Sequence, residues 1–267
     1  MKFAALFVCI AAAFGQIPPT QDAVIALANT PTAQTVKQMT IILKTIADVP
    51  EVSFDEAHSS FTLRGWASQL GLAEWLLRAM DKPAGWQPPT QESADHSSRE
   101  YHLPKASFPF MDRNPVARVY YLTNTTTPLG VEEILQGLRV VGDIQQVYKC
   151  DEARLIAFRG TAANVDVGEW IIRKLDVPTG GEAFARQKEN PDAGILKLPN
   201  DPAGHEDIVR VFYLEPALTQ KEIYRVLAKI RTATNTRSIF QMSSPPAIVF
   251  RGTSAQLAQA RQMIDAQ

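Results

Sequence analysis

Apolar residues at Val131, Ile134, Leu135, Leu138 and Val141 recur at helical spacing and predict a buried helix stripe. Upstream of it, Ala117 to Leu122 is rich in Val and Tyr and reads as a strand. Downstream, a short strand around Val147 and another over Leu155 to Phe158 precede a second helical stripe: Val165, Gly168, Ile172 and Leu175. The same series occurs twice more. The first helix stripe is Val36, Met39, Thr40, Leu43 and Ile46 in copy one, and Ile223, Val226, Leu227, Ile230 and Ala233 in copy three. The second is Leu70, Ala73, Leu77 and Met80 in copy one, and Leu257, Ala260 and Ile264 in copy three. A small residue in the second slot lets each of these helices lie close to its sheet.

Literal matches fix the register of the copies. Arg118-Val-Tyr-Tyr-Leu122 returns as Arg210-Val-Phe-Tyr-Leu214, and Phe158-Arg-Gly-Thr161 as Phe250-Arg-Gly-Thr253; positions 118 and 159 both reappear 92 residues later, at 210 and 251. Copy one lies 95 residues before copy two: Leu63-Arg64-Gly65 answers Phe158-Arg159-Gly160, and Glu74-Trp75 answers Glu169-Trp170, so 64 maps to 159 and 75 to 170. A period of this kind decides architecture before any single residue is weighed. The expected fold is α+β, with three tandem βαββα units over 22–83, 116–178 and 208–267 and long linkers over 84–115 and 179–207. Each unit is about 60 residues, small enough that folding alone is marginal. Three strands with two helices on one side leave a bare sheet face and open edges, so the units are expected to lean on each other or on another chain. Glycine after each repeated arginine predicts a positive-φ turn, and Thr161 and Thr253 are placed to cap the following helix.

These residues resemble the periplasmic N-terminal modules of bacterial secretins, the ring-building KH-like domains of secretion and pilus channels. The resemblance rests on the apolar strand, the [Phe/Leu]-Arg-Gly-[Thr/Trp] step, and a last helix ending Leu175-Asp176-Val177-Pro178 or Met80-Asp81-Lys82-Pro83. It implies a non-enzymatic assembly or adaptor protein of the bacterial envelope. The implied partners are proteins, a secretin or other secretion or pilus component, or the chain itself. Secretins continue into a β-rich channel region, whereas this sequence stops with the third unit, so the chain is not expected to be a channel.

Met1-Lys2, the apolar run Phe3 to Phe14 and Gly15 read as a signal peptide over 1–15, and hence as export to the periplasm. The run is too short for an ordinary transmembrane helix, and none is expected in the mature chain. Cys9 lies early in that run without a small residue before it, which argues against a lipoprotein signal. With the leader removed only Cys150 remains, so no disulfide framework is expected. A net charge of −1 gives no electrostatic case for nucleic acid. The Gly-x-x-Gly clamp of RNA-binding KH domains is not found.

No catalytic, metal or cofactor constellation stands out. His58, His96, His102 and His205 show no metal-ligand spacing and read as solvated residues. Cys150 has no histidine in its unit to activate it and reads as an inert thiol. Asn124-Thr125-Thr126 reads as a turn. The candidate interface residues are Arg64, Arg159 and Arg251, then Arg118 and Arg210 on the first strands, and Trp75 and Trp170 on the last helices. Arginine on the solvent side of a strand, and tryptophan covering its own unit, are the plain alternatives. A peptide or envelope-ligand binder that grips by β-addition also remains open, with a KH-like nucleic-acid binder behind it.

Overall fold

The computed structural model describes residues 19–88, 98–104, 114–178, 181–199 and 206–266. The leader, Cys9, His96 and His205 lie outside them. Among the described residues the chain holds seven α-helices and three small antiparallel sheets. None of these helices is long and apolar enough to cross a membrane.

The first sheet has the order β1-β3-β2, from β1 (Gln21–Ala26), β2 (Glu51–Asp55) and β3 (Ser60–Gly65). Its helices are α1 (Ala33–Thr45) and α2 (Ala67–Met80). The second sheet runs β4-β5-β7-β6 and the third β10-β11-β9-β8. Their strands are β4 (Ser98–His102), β5 (Val116–Tyr121), β6 (Gln146–Cys150), β7 (Leu155–Gly160), β8 (Ile195–Lys197), β9 (Ile208–Tyr213), β10 (Ile239–Ser243) and β11 (Pro246–Gly252). The accompanying helices are α3 (Pro128–Val140), α4 (Ala162–Leu175), α5 (Glu182–Glu189), α6 (Gln220–Thr234) and α7 (Ser254–Asp265).

Local chemistry explains the shared elements. Thr32, Thr127 and Thr219 begin α1, α3 and α6, each accepting a backbone N–H of the first turn. Asp48, Asp143 and Asn235 follow those helices in the left-handed region, at φ 55°, 55° and 48°, which short polar side chains tolerate. Thr161 and Thr253 cap α4 and α7 as expected. Trp66 holds that place before α2, where its N–H donates to Gln69 Oε1 at 2.8 Å. A Cβ on Gly168 would come within 2.5 Å of Ile144 and 3.2 Å of Phe158, so α4 does lie close to its sheet.

Two expectations need correction. Gly65, Gly160 and Gly252 are not positive-φ turns; among the described glycines only Gly85 and Gly181 have that geometry. The repeated glycines end their strands in register, opposite Gln21, Val116 and Ile208. In two of them the reason for glycine is space: a Cβ would meet the Gln69 carboxamide at 2.8 Å, or that of Gln256 at 2.5 Å. The stretches read as linkers are also not featureless. The first supplies β4, which pairs with β5, and the second supplies α5 and β8, which pairs with β9.

The layers alternate. Helices α1 and α2 lie between the first sheet and one face of the second, sharing a core with Ala117, Val119, Tyr121, Cys150, Leu155 and Ala157. Helices α3 and α4 lie between the other face of the second sheet and the third, against Val209, Val211, Tyr213, Met242, Ala247 and Val249. Helices α6 and α7 cover only the remaining face of the third sheet. Val119 and Tyr121 alternate with Tyr120 and Leu122, so one strand serves two cores, as period-2 geometry demands.

Candidate protein-protein interface

The two junctions between sequence copies are built by the same contacts, 92 or 95 residues apart. Arg159 donates to the Ile46 carbonyl at 3.0 Å and to the Asp48 carboxylate at 2.7 Å; Arg251 donates to the carbonyl of Val141, the counterpart of Ile46, at 3.3 Å. Both arginines therefore reach the carbonyl end of the preceding copy's first helix, where a cation also suits the helix dipole. Tyr121 donates its hydroxyl to the Ala79 carbonyl at 3.0 Å, and Tyr213 donates to the Lys174 carbonyl at 2.6 Å, again at matching positions. Gln38 exchanges two hydrogen bonds with Asp151, and Glu133 accepts two from Ser243.

Around these polar points the junctions are apolar. Ile42, Leu72 and Leu76 are 0% exposed against the second sheet, and Val167 and Ile171 are similarly buried against the third. Full burial of one such side chain contributes roughly 1.5–3 kcal/mol, which makes each junction part of the folded core. Cys150 sits in the first junction, and burial, ahead of its other interactions, pushes its thiol up to about 11.

Arg159 is 3% exposed, and its guanidinium also donates to the Asn114 carbonyl at 2.7 Å. Arg251 pairs with Asp207 through two nitrogens, at 2.8 and 2.6 Å. Their counterpart Arg64 meets no such carbonyl among the described residues. Its side chain is 53% exposed, 3.8 Å from Asp22. Of the four other candidates, three have local duties. Arg118 is gathered with Glu100, Glu169 and Asp166, which ties β4 to α4. Arg210 lies over the Phe212 ring, 4.7 Å from its centroid. Trp170 carries Lys174 over its ring at 5.9 Å, whereas Trp75 reaches across the first junction and packs on Tyr101 of β4, in the second sheet, at 5.6 Å.

Sequence reasoning missed the roles of Tyr121, Tyr213 and Asp176. The tyrosines stood in the repeated Arg-Val-[Tyr/Phe]-Tyr-Leu segment, and a polar tip shared by both copies was the available signal. Asp176 is fully buried and accepts from the backbone N–H groups of Thr123, Asn124 and Thr125 at 2.7, 2.8 and 2.6 Å. Asp81 does the same for Ala28 and Asn29 at 2.6 and 3.1 Å. In copies one and two the Asp-x-Pro ending is thus a clamp on the loop after the first strand.

Among the described residues, the outer face of the first sheet and the outer side of α6 and α7 carry no neighbour, and β1 pairs with no strand beyond β3. The matching edges of β5 and β9 are covered by β4 and β8. His58 lies by Asp55 and His102 by Glu100, both on the surface, and no metal-holding group of His, Cys, Asp and Glu occurs among the described residues.

No protein-family model matches this chain, and no curated protein matches it. Among solved structures, the ETEC pilotin–secretin AspS–GspD complex is similar over 93% of this chain at 13% identity, with a TM-score of 0.19. Aeromonas hydrophila ExeD is similar over 92% at 12% identity, with a TM-score of 0.20. The chain spans 37% and 40% of those two chains. Likenesses this weak decide neither activity nor partner.

Proposed function

We propose that the protein is an exported, non-enzymatic adaptor of the bacterial envelope. On this reading residues 1–15 are a leader, and 22–83, 116–178 and 208–267 are three copies of one KH-like, secretin-N-like unit that works by protein contact in a secretion or pilus system. The observation that carries it is the junction itself: one unit's helices dock on the next unit's sheet, twice, through matching bonds. A unit that docks this way within the chain has the surfaces to dock on a similar unit elsewhere. The [Phe/Leu]-Arg-Gly step and the Asp-x-Pro ending add the sequence resemblance. Arg159 and Arg251 then serve inside the chain, and Arg64 is the copy left for a partner.

Crosslinking in intact cells, followed by purification of the tagged protein, tests the assignment. Recovery of secretion or pilus components is the expected result; a scattered set of unrelated envelope peptides overturns it. That second result would fit the uncovered edge of β1, which could accept an added strand from a ligand.

A further inference from the structure

The internal junctions are a template for what would fit the two bare ends. Carrying each junction pair one copy further in both directions places Arg225, the counterpart of Gln38 and Glu133, opposite Glu56, the counterpart of Asp151 and Ser243. It places the Ala233 carbonyl and Asn235, counterparts of Ile46 and Asp48, opposite Arg64. Lys229 replaces buried Ile42 and Gly137. A Cβ on Gly137 would lie 3.7 Å from Phe240, whose counterpart on the first sheet is Ser53, between Glu51 and Asp55.

Every one of these residues is exposed in the single chain. The two ends differ in charge: Asp22, Glu51, Asp55 and Glu56 outnumber Arg64 at one, and Arg225 and Lys229 outnumber Glu222 at the other. A small apolar spot survives on each side. Val24 is 70% exposed where Val119 and Val211 are buried, and Met263 occupies the place of Leu76 and Ile171.

We propose that the outer face of the first sheet receives the α6/α7 layer of a second copy of this chain, so that copies stack head to tail. This rests on the reading of the repeats as contact units and names one partner for them. The contact is heterologous, so copies add in series, and growth is open-ended unless the rotation per copy closes a ring. Charge in place of the internal apolar packing makes it weaker than the junctions and dependent on salt, and limits runaway stacking.

Sedimentation velocity of the purified protein over a concentration series tests it without any envelope component, so its failure leaves the adaptor assignment to be judged by crosslinking. Average mass should climb with concentration, and fall back at high salt. Arg225→Glu and Glu56→Arg should each weaken association about tenfold or more, and the two together should restore it. Both side chains are on the surface, and circular dichroism checks that each variant is folded. A single monomer boundary at every concentration overturns the proposal. So does association that both single variants leave intact.

Discussion

The Arg159 guanidinium donates to the carbonyl of Ile46, 113 residues earlier, across a boundary between sequence copies. With the Asp48 carboxylate and the Asn114 carbonyl also accepting from it, a nearly buried cation is surrounded by oxygen. Burial lowers this guanidinium's pKa, and the Asp48 charge opposes the shift.

Removing that cation should therefore cost far more than removing its copies. Arg159→Ala leaves two carbonyls at the junction without their donor and the Asp48 carboxylate, 46% exposed, without its cation, and we expect a loss of about 2–3 kcal/mol. Arg251→Ala, with a side chain 23% exposed, should cost about 1–2 kcal/mol. Arg64→Ala should stay within about 0.5 kcal/mol, because its side chain is largely in solvent. Urea denaturation of the three variants measures the order. Equal losses at 64 and 159 would contradict the junction account.

Asp176 gives a second ranking. Its carboxylate satisfies three backbone N–H groups and is fully buried, whereas Asp81 takes two from the backbone and one from the Asn29 side chain and is partly exposed. Asp176→Ala should cost about 3 kcal/mol, and Asp81→Ala about half of that. Asp176→Asn should fall between wild type and Asp176→Ala, since one acceptor oxygen remains. Thermal unfolding with calorimetry distinguishes the three.

The features legible in the sequence were those set by neighbours along the chain. The stripe of Ile134 and Leu138, the cap at Thr161 and the close-packed Gly168 are each decided within a few residues. Their repetition turned weak local signals into an architecture. Gly65 and Gly252 misled because a glycine can mean a special φ or a lack of room, and only the side chain packed against it tells which. Strands β4 and β8 were hidden for another reason. They are five and three residues long, polar on the outside, and become strands only by pairing with β5 and β9. The contact of Tyr121 with Ala79 needs two repeats in place, so its tyrosine reads from the sequence as an ordinary strand residue.

β4 should be the acid-sensitive part of the fold. Burial would raise the Glu169 pKa, but the Arg173 hydrogen bond and the Arg118 charge outweigh it and hold the carboxyl below its ordinary value of 4.5. A carboxylate depressed in the folded state stabilises above its unfolded pKa, and that contribution is lost as pH falls through the lower folded value. The Glu169 side chain is 14% exposed, so solvent screens its pairs with Arg118 and Arg173 only in part. Hydrogen exchange in β4, taken relative to the intrinsic rate at each pH, should accelerate as pH falls below the ordinary carboxylate range, before exchange in β7 does. In Glu169→Gln the acceleration should already be present at neutral pH. Simultaneous release of both strands would show that Arg118 and Glu169 do not hold the arm.

The thiol of Cys150 tests the first junction as a unit. It is 0% exposed and raised from 9.0 to about 11, with burial the leading cause. A thiol reagent at pH 8 should therefore leave it unmodified in the folded protein and react within seconds once denaturant is added. The same burial has a pH consequence of definite sign. The unfolded chain ionises its thiol above its ordinary pKa while the folded chain keeps the proton, so the thiol's effect on stability is nil below pH 9 and unfavourable between 9 and about 11. A shift of this size corresponds to about 2–3 kcal/mol, reached gradually across that window. Tyr121 and Tyr213, both raised by burial, titrate in the same direction, so the cysteine's share must be taken as a difference. Urea unfolding of wild type and Cys150→Ala at pH 7 and pH 10.5 supplies it. The variant loses a little packing at both pH values and should lose less further stability on going to the higher one. Equal slopes, or rapid modification of the native thiol, would mean that the helices of the first copy do not stay seated on the second sheet.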